Sequence, residues 1–145
     1  MGRLAVFAVF LLLLTGAAPA ADRVIGRVKI ASGQATILRA GVPMPAKLGA
    51  TLKSGDILNT GRDGRIGVTF VDNSRFAAGP NSRIDLARFE FDPRTHDGEF
   101  LTKVDRGSLA VISGQIAKRR RDAMRVRTPT ALLGVRGTRF VVTVE

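Results

Sequence analysis

Arg65-Ile66-Gly67-Val68-Thr69-Phe70-Val71 puts Ile66, Val68 and Phe70 on one parity and Arg65, Gly67 and Thr69 on the other. Side chains of a strand point alternately to its two faces, so this stretch is a strand with one buried and one wetted face. Turn formers bracket it: Arg62-Asp63-Gly64 before, Asp72-Asn73-Ser74 after. These residues accept left-handed backbone or bond their own main chain.

The same pattern extends in both directions. Upstream, Val24, Gly26, Val28 and Ile30 share a parity with Arg27 and Lys29 on the other face, Ser32-Gly33 turns the chain into Ala35–Leu38, and Thr51–Thr60 forms a strand broken at Ser54-Gly55. Downstream the expected strands are Arg75–Ala78, Arg83–Phe91, Glu99–Val104, Ser108–Ile112, Met124–Arg127 and Arg139–Val144. Gly79-Pro80-Asn81-Ser82 and Thr95-His96-Asp97-Gly98 supply turns between them. Turn signals every eight to twelve residues or so indicate an all-β domain rather than alternating βα units. Sandwich, barrel and solenoid remain open; glycines at 26, 33, 41, 49, 55 and 61 hint at stacked coils. Ser113–Ala123 is either a short helix or a charged loop.

Composition narrows the function. The chain has 145 residues with 45% hydrophobic content, enough for a single core. It has no Cys, Trp or Tyr and one His, His96. Disulfides, thiolate metal sites and cysteine nucleophiles are therefore excluded, and a protein-only zinc site is not expected. Ser74, Ser82, Ser108 and Ser113 have no base to activate them beyond His96, so no catalytic residues, no cofactor and no metal site are assigned. Phe70, Phe76, Phe89, Phe91, Phe100 and Phe140 are expected to form the core.

Lys and Arg number 23 against 12 Asp and Glu, a net charge of +11. Location decides which anion such a surface meets. Residues 1–20 carry Arg3, an apolar run from Leu4 to Leu14, and Ala18-Pro19-Ala20. That is the layout of a secretory signal peptide, with cleavage expected after Ala20 and residues 21–145 left as the domain. The run is too short to span a membrane and no second one follows, so no transmembrane segment is expected after cleavage. Periplasmic or secreted placement makes a nucleic-acid partner unexpected. Loss of Arg3 leaves +10 of the original +11, so the charge belongs to the folded part.

Five ordered pieces resemble the FecR domain family. Gly26-Arg27-Val28, Gly33-Gln34-Ala35 and Leu52–Gly61, with Gly55, Asp56 and Thr60, are similar to the family's opening and its G-D-x-[I/L]-x-T turn. Arg65–Ser74 resembles its strand followed by Asp72-Asn73-Ser74, and Gly79-Pro80-Asn81-Ser82-Arg83-Ile84 its next turn. Arg106-Gly107-Ser108-Leu109 and Thr128-Pro129-Thr130 followed by Gly134-Val135-Arg136-Gly137-Thr138-Arg139-Phe140 resemble the remaining signatures. The resemblance implies an extracytoplasmic bacterial β-domain, best known as the periplasmic sensor part of regulators coupling siderophore receptors to sigma factors. The chain shows no cytoplasmic anti-sigma segment and no membrane helix beyond its leader, so the expected analogy is a stand-alone envelope member.

Most conspicuous polar residues are expected to serve turns. Asp56 is placed to accept amides of its own turn and steady Thr60, and Asp56, Asp63 and Asp72 are too few to make a cation site. Gly134-Val135-Arg136-Gly137-Thr138 leads into a strand rather than a helix, so it is not a phosphate loop; a bulge or corner is expected, with Thr138 in the sheet and Arg136 paired or facing a partner. Lys118-Arg119-Arg120-Arg121 is the candidate binding patch, extended by Arg125 and Arg127, which share a strand face. A solvated loop is its alternative. The expected function is a non-enzymatic binding module engaging an envelope protein or an anionic envelope polymer. A structural domain that pairs, or homo-oligomerises, through a sheet edge such as Arg139–Val144 is the alternative, and a wall-acting enzyme comes third.

Overall fold

The computed structural model describes Gly16 and residues 22–145; the expected signal peptide otherwise lies outside the described residues. Twelve strands follow in chain order: β1 (Val24–Ser32), β2 (Ala35–Arg39), β3 (Val42–Pro45), β4 (Thr51–Lys53), β5 (Ile57–Thr60), β6 (Arg65–Phe70), β7 (Arg75–Ala78), β8 (Arg83–Phe91), β9 (Gly98–Ile112), β10 (Met124–Arg127), β11 (Leu132–Val135) and β12 (Arg139–Val144). One short helix, α1 (Gln115–Arg119), separates β9 from β10. The fold is all-β, a curled, mostly antiparallel half-barrel.

The spine is β9, which continues through the segment where the sequence suggests two strands. Gly107 lets it do so, with φ of 87° at the junction. The first half of β9 pairs with β8 on one side and, in parallel, with β10 on the other; the second half pairs with β7 and β12. Parallel pairing needs a crossover, and the segment holding α1 provides it. The first wing runs β3-β2-β5-β8-β9-β10-β11, and the second runs β4-β1-β6-β7-β9-β12.

Between the wings, Phe70, Phe76, Phe89 and Phe100 form one aromatic cluster with centroid separations from 4.7 to 5.6 Å. Phe91 and Phe140 are only partly buried and pack against the hydrophobic core from its margin. Ile66, Val68 and Phe70 of β6 face inward, on the parity the sequence indicates.

Three local features depart from the alternation pattern. In β1 the register shifts between Val24 and Gly26 and again between Val28 and Ile30. Each bulge inserts a residue and swaps faces, so Ile25 is buried while Val24 and Ile30 are 41% and 62% exposed. Strand β3 is an edge strand with two prolines, reached through a tight turn at Ala40 and Gly41 with φ of 50° and 78°. Proline is tolerated at an edge, and alanine is not a usual residue for such a turn, which hides the hairpin in the sequence. Strand β11 is exposed at three of four positions and so lacks an apolar face to alternate.

Candidate functional site

Among the described residues six polar ones are buried: Asp56, Thr60, Asp72, Ser74, Ser82 and Thr102. Five belong to the sequence motifs, and each is engaged by neighbouring chain. Asp56 sits between β4 and β5 beside Gly55, whose φ is 89°. Its carboxylate accepts from Arg39 Nε at 3.0 Å, Arg39 Nη2 at 2.8 Å and the Lys53 amide at 2.8 Å. This fork, 17 residues apart in sequence, is invisible to local reading. Its hydrogen bond outweighs desolvation and raises the Arg39 pKa above the ordinary guanidinium value.

Thr60, Ser82 and Ser108 clip β5, β8 and β9 together. Thr60 Oγ1 donates to the Gly79 carbonyl at 2.7 Å and accepts from the Ser82 amide at 2.9 Å. Ser82 Oγ accepts from the Ser108 amide at 3.0 Å and lies 3.2 Å from the Ser108 carbonyl, to which it donates. Asp72 accepts from Ser74 through its amide at 3.0 Å and its hydroxyl at 2.8 Å. It also accepts the Ile116 amide at 3.3 Å, while Ser74 Oγ accepts the Gly114 amide at 3.0 Å. The Asp72–Ser74 turn therefore holds the entry to α1. Asp63 accepts the Gln34 amide at 3.1 Å. Asp56, Asp63 and Asp72 are thus committed to separate turns, and no group of three acidic or histidine ligands gathers among the described residues. His96 is exposed, its ring 6.0 Å from that of Phe91.

Gly137, with φ of 54°, makes the corner between β11 and β12. Thr138 lies just outside β12, where the sequence reading places it in the sheet; its amide donates to Ser113 Oγ at 2.8 Å and its carbonyl accepts the Ser113 amide at 3.1 Å. Arg136 is exposed and has no ion pair among the described residues.

The cationic run occupies the end of α1 and the turn beyond it. Arg119 lies 3.8 Å from Asp97 and Arg120 3.8 Å from Glu99, so two of its charges are offset by exposed carboxylates. Lys118, Arg121 and Arg127 are exposed. Arg125 is half-buried with an unpartnered Nε, and both it and Arg127 project from the outer face of β10. Beside them on β9 stand Glu99, Leu101 and Lys103. The patch is mixed in sign.

A different surface carries cations without carboxylates. On the outer face of the second wing, Ile30 pairs with Gly67, Gly67 with Ala77, Ala77 with Ala110 and Ala110 with Val141. This cross-strand row spans β1, β6, β7, β9 and β12, small in the middle and large at both ends. The ends stand out: Ile30 is 62% and Val141 68% exposed. The result is an apolar trough of about 770 Å³. The adjacent row is Arg27, Thr69, Arg75, Ile112 and Arg139. Lys29 lines the same trough, and Arg65 lines an adjoining hollow of about 310 Å³ that shares Ile30, Gly67, Ala77, Ala110 and Val141 with it. None of these five cations has an ion-pair partner among the described residues. Sequence reading misses this face. The only local signal is the parity that puts Arg65 and Gly67, or Arg75 and Ala77, on the wetted side, and the alignment of the rows is tertiary.

The family model described as FecR protein matches residues 56–145, from the Asp56 turn through β12. The chain belongs to the FecR family. No curated protein and no solved structure matches it. The FecR match starts after β1–β4, yet β1 pairs with β6 and β2 with β5, so residues before Asp56 complete both wings. No helix among the described residues is long and apolar enough to cross a membrane.

Proposed function

We propose that this FecR-family chain is a non-enzymatic binding module of the bacterial envelope, periplasmic or secreted, that engages an anionic envelope protein or polymer. The observation that carries the reading is the division of labour among polar groups. Motif carboxylates and hydroxyls are consumed inside turns, whereas Lys29, Arg65, Arg75 and Arg139 line one sheet face, with Arg27 on its flanking row, and none has a counter-charge among the described residues. Unpaired arginines on an open face attract anions by a salt-screened field and bind them bidentately at contact. The FecR family's association with siderophore-type sigma-factor signalling fits a sensor-type role only loosely.

Poly-L-glutamate serves as the test ligand. Binding is expected to weaken as salt rises, and the double variant Arg75→Glu/Arg139→Glu is expected to lose at least about tenfold in affinity, or about 1.4 kcal/mol. Reversal of Lys118, Arg119, Arg120 and Arg121 is expected to cost less, because Asp97 and Glu99 already offset part of that run. Salt-insensitive binding, or a larger loss from the 118–121 reversal, contradicts the assignment.

A second reading rests on β12, which pairs with β9 alone among the described strands. Its outer edge is available for β-augmentation by a partner or a second copy. Mass measurement across concentrations tests it: a dimer abolished by Val141→Pro supports edge pairing, and a monomer throughout removes it.

A further inference from the structure

We propose that the trough on the outer face of the second wing is a cradle for an acidic amphipathic helix of a partner protein. The inference rests on the anionic-partner reading above and specifies what occupies that face.

Dimensions argue first. Ile30 on β1 and Val141 on β12 are four strand spacings apart, about 19 Å at the usual 4.8 Å or so per spacing. Between these walls stand Gly67, Ala77 and Ala110, none of which carries a side chain beyond a methyl group; Ile30 covers Gly67, so the open floor is Ala77 and Ala110 and the free width about three spacings, roughly 14 Å. A helix with its side chains is about 10–12 Å across and fits between the walls along the strand direction. From Arg65 to Thr69 the trough runs four residues, about 13 Å of strand, matching some nine residues of helix.

Charge and relief exclude the other occupants. A second copy brings the same five unpaired cations, and like-charge juxtaposition opposes it. The chain's own leader offers only Arg3 as a charged residue, the wrong sign. A bilayer binds through a broad protruding apolar surface, whereas here only Ile30 and Val141 protrude and the floor between them is recessed. A saccharide needs convergent hydrogen-bonding groups or an aromatic platform; Lys29, Thr69, Arg75 and Arg139 stand on the rim, while the floor at Ala77 and Ala110 offers only methyl groups. A helix with an apolar stripe flanked by glutamates satisfies both the floor and the rim, where Lys29, Arg75 and Arg139 line the trough and Arg65 the adjoining hollow at its other end.

The probe is a synthetic 15-residue helical peptide with leucines along one face and glutamates on both flanks, titrated into the protein and followed by amide chemical shifts. Saturable binding is expected, with the largest shifts at Gly67, Ala77 and Ala110. Ala77→Arg adds a cation yet fills the floor, so it is expected to weaken peptide binding about tenfold or more while leaving poly-L-glutamate binding intact or stronger. Ala110→Gln gives a second, uncharged block if Ala77→Arg perturbs the fold. Peptide binding that survives both substitutions, shifts centred elsewhere, or no saturation by about 1 mM overturns the cradle. Tighter binding to phosphatidylglycerol vesicles, blocked by the same substitutions, overturns it in favour of lipid. If Arg75→Glu/Arg139→Glu weakens polyglutamate but Ala77→Arg leaves the peptide unaffected, the anionic-partner reading stands and the cradle alone fails.

Discussion

Ile30 lies directly over Gly67. A β-carbon built at residue 67 meets Ile30 Cβ at 3.1 Å and Ile30 Cδ1 at 3.3 Å, so the bare position 67 is what lets Ile30 lie down at the end of the trough. Gly67→Val must push Ile30 outward, into solvent rather than into the core. Stability is expected to change by less than about 1 kcal/mol, because valine's strand preference offsets the crowding. Affinity for the acidic helical peptide is expected to fall while polyglutamate binding stays unchanged. Thermal melting together with peptide titration checks both halves, and a large loss of stability with peptide binding intact contradicts the seating of Ile30 on Gly67.

Asp56 and Arg39 form a second separable pair. The Asp56 side chain is 1% exposed and its Arg39 partner 30% exposed. Arg39→Ala leaves a buried carboxylate with only the Lys53 amide, and a cost of about 3 kcal/mol is expected, as for other half-broken buried pairs. Urea denaturation is expected to show a lower midpoint at unchanged slope. Anion binding by the refolded variant is expected to stay normal, since Arg39 lies on the first wing.

Asp72 acts at a distance through α1. Asp72→Ala removes acceptors for the Ser74 and Ile116 amides and leaves Gly114 to Ser74 alone. Hydrogen exchange at Ile116 is expected to accelerate well beyond the change at Phe100 or Val104 in the spine. Equal acceleration everywhere indicates global unfolding instead and contradicts the local anchoring role.

Asp85 gives a pH signature. Burial raises its pKa above the ordinary aspartate value, with Lys103 opposing the shift and Asp105 adding to it. A raised folded-state pKa means that the folded protein holds the proton more tightly than the unfolded chain, so stability from this group falls as pH rises through that window. Asp85→Asn removes the dependence. Its melting temperature relative to wild type is expected to be more favourable at pH 7 than near pH 3.5, and the reverse order contradicts the burial argument.

The all-β architecture is legible in the sequence where alternation is uninterrupted, as in Ile66, Val68 and Phe70. It fails at β1, where two bulges expose Val24 and Ile30, because an inserted residue leaves no mark in composition. It fails again at β3 and β11, whose edge positions relax the need for an apolar face. The turn motifs can be located from sequence, but not their partners: Arg39 for Asp56, Ser108 for Ser82 and Gly114 for Ser74 come from other strands or segments. The cationic run at Lys118–Arg121 is conspicuous because its residues are consecutive. Arg27, Arg65, Arg75 and Arg139 are not, and only cross-strand register gathers them.

The absence of cysteine makes one measurement decisive for the claim that the outer face of the second wing meets the partner. Single-cysteine variants Ala77→Cys and Lys118→Cys are reacted with a small maleimide that reaches the periplasm, in the intact envelope and as purified protein. The account predicts that Cys at 77 reacts readily when purified and at least about tenfold more slowly in the envelope, while Cys at 118 reacts alike in both. Equal reactivity at 77 in both settings, with protection at 118, contradicts it.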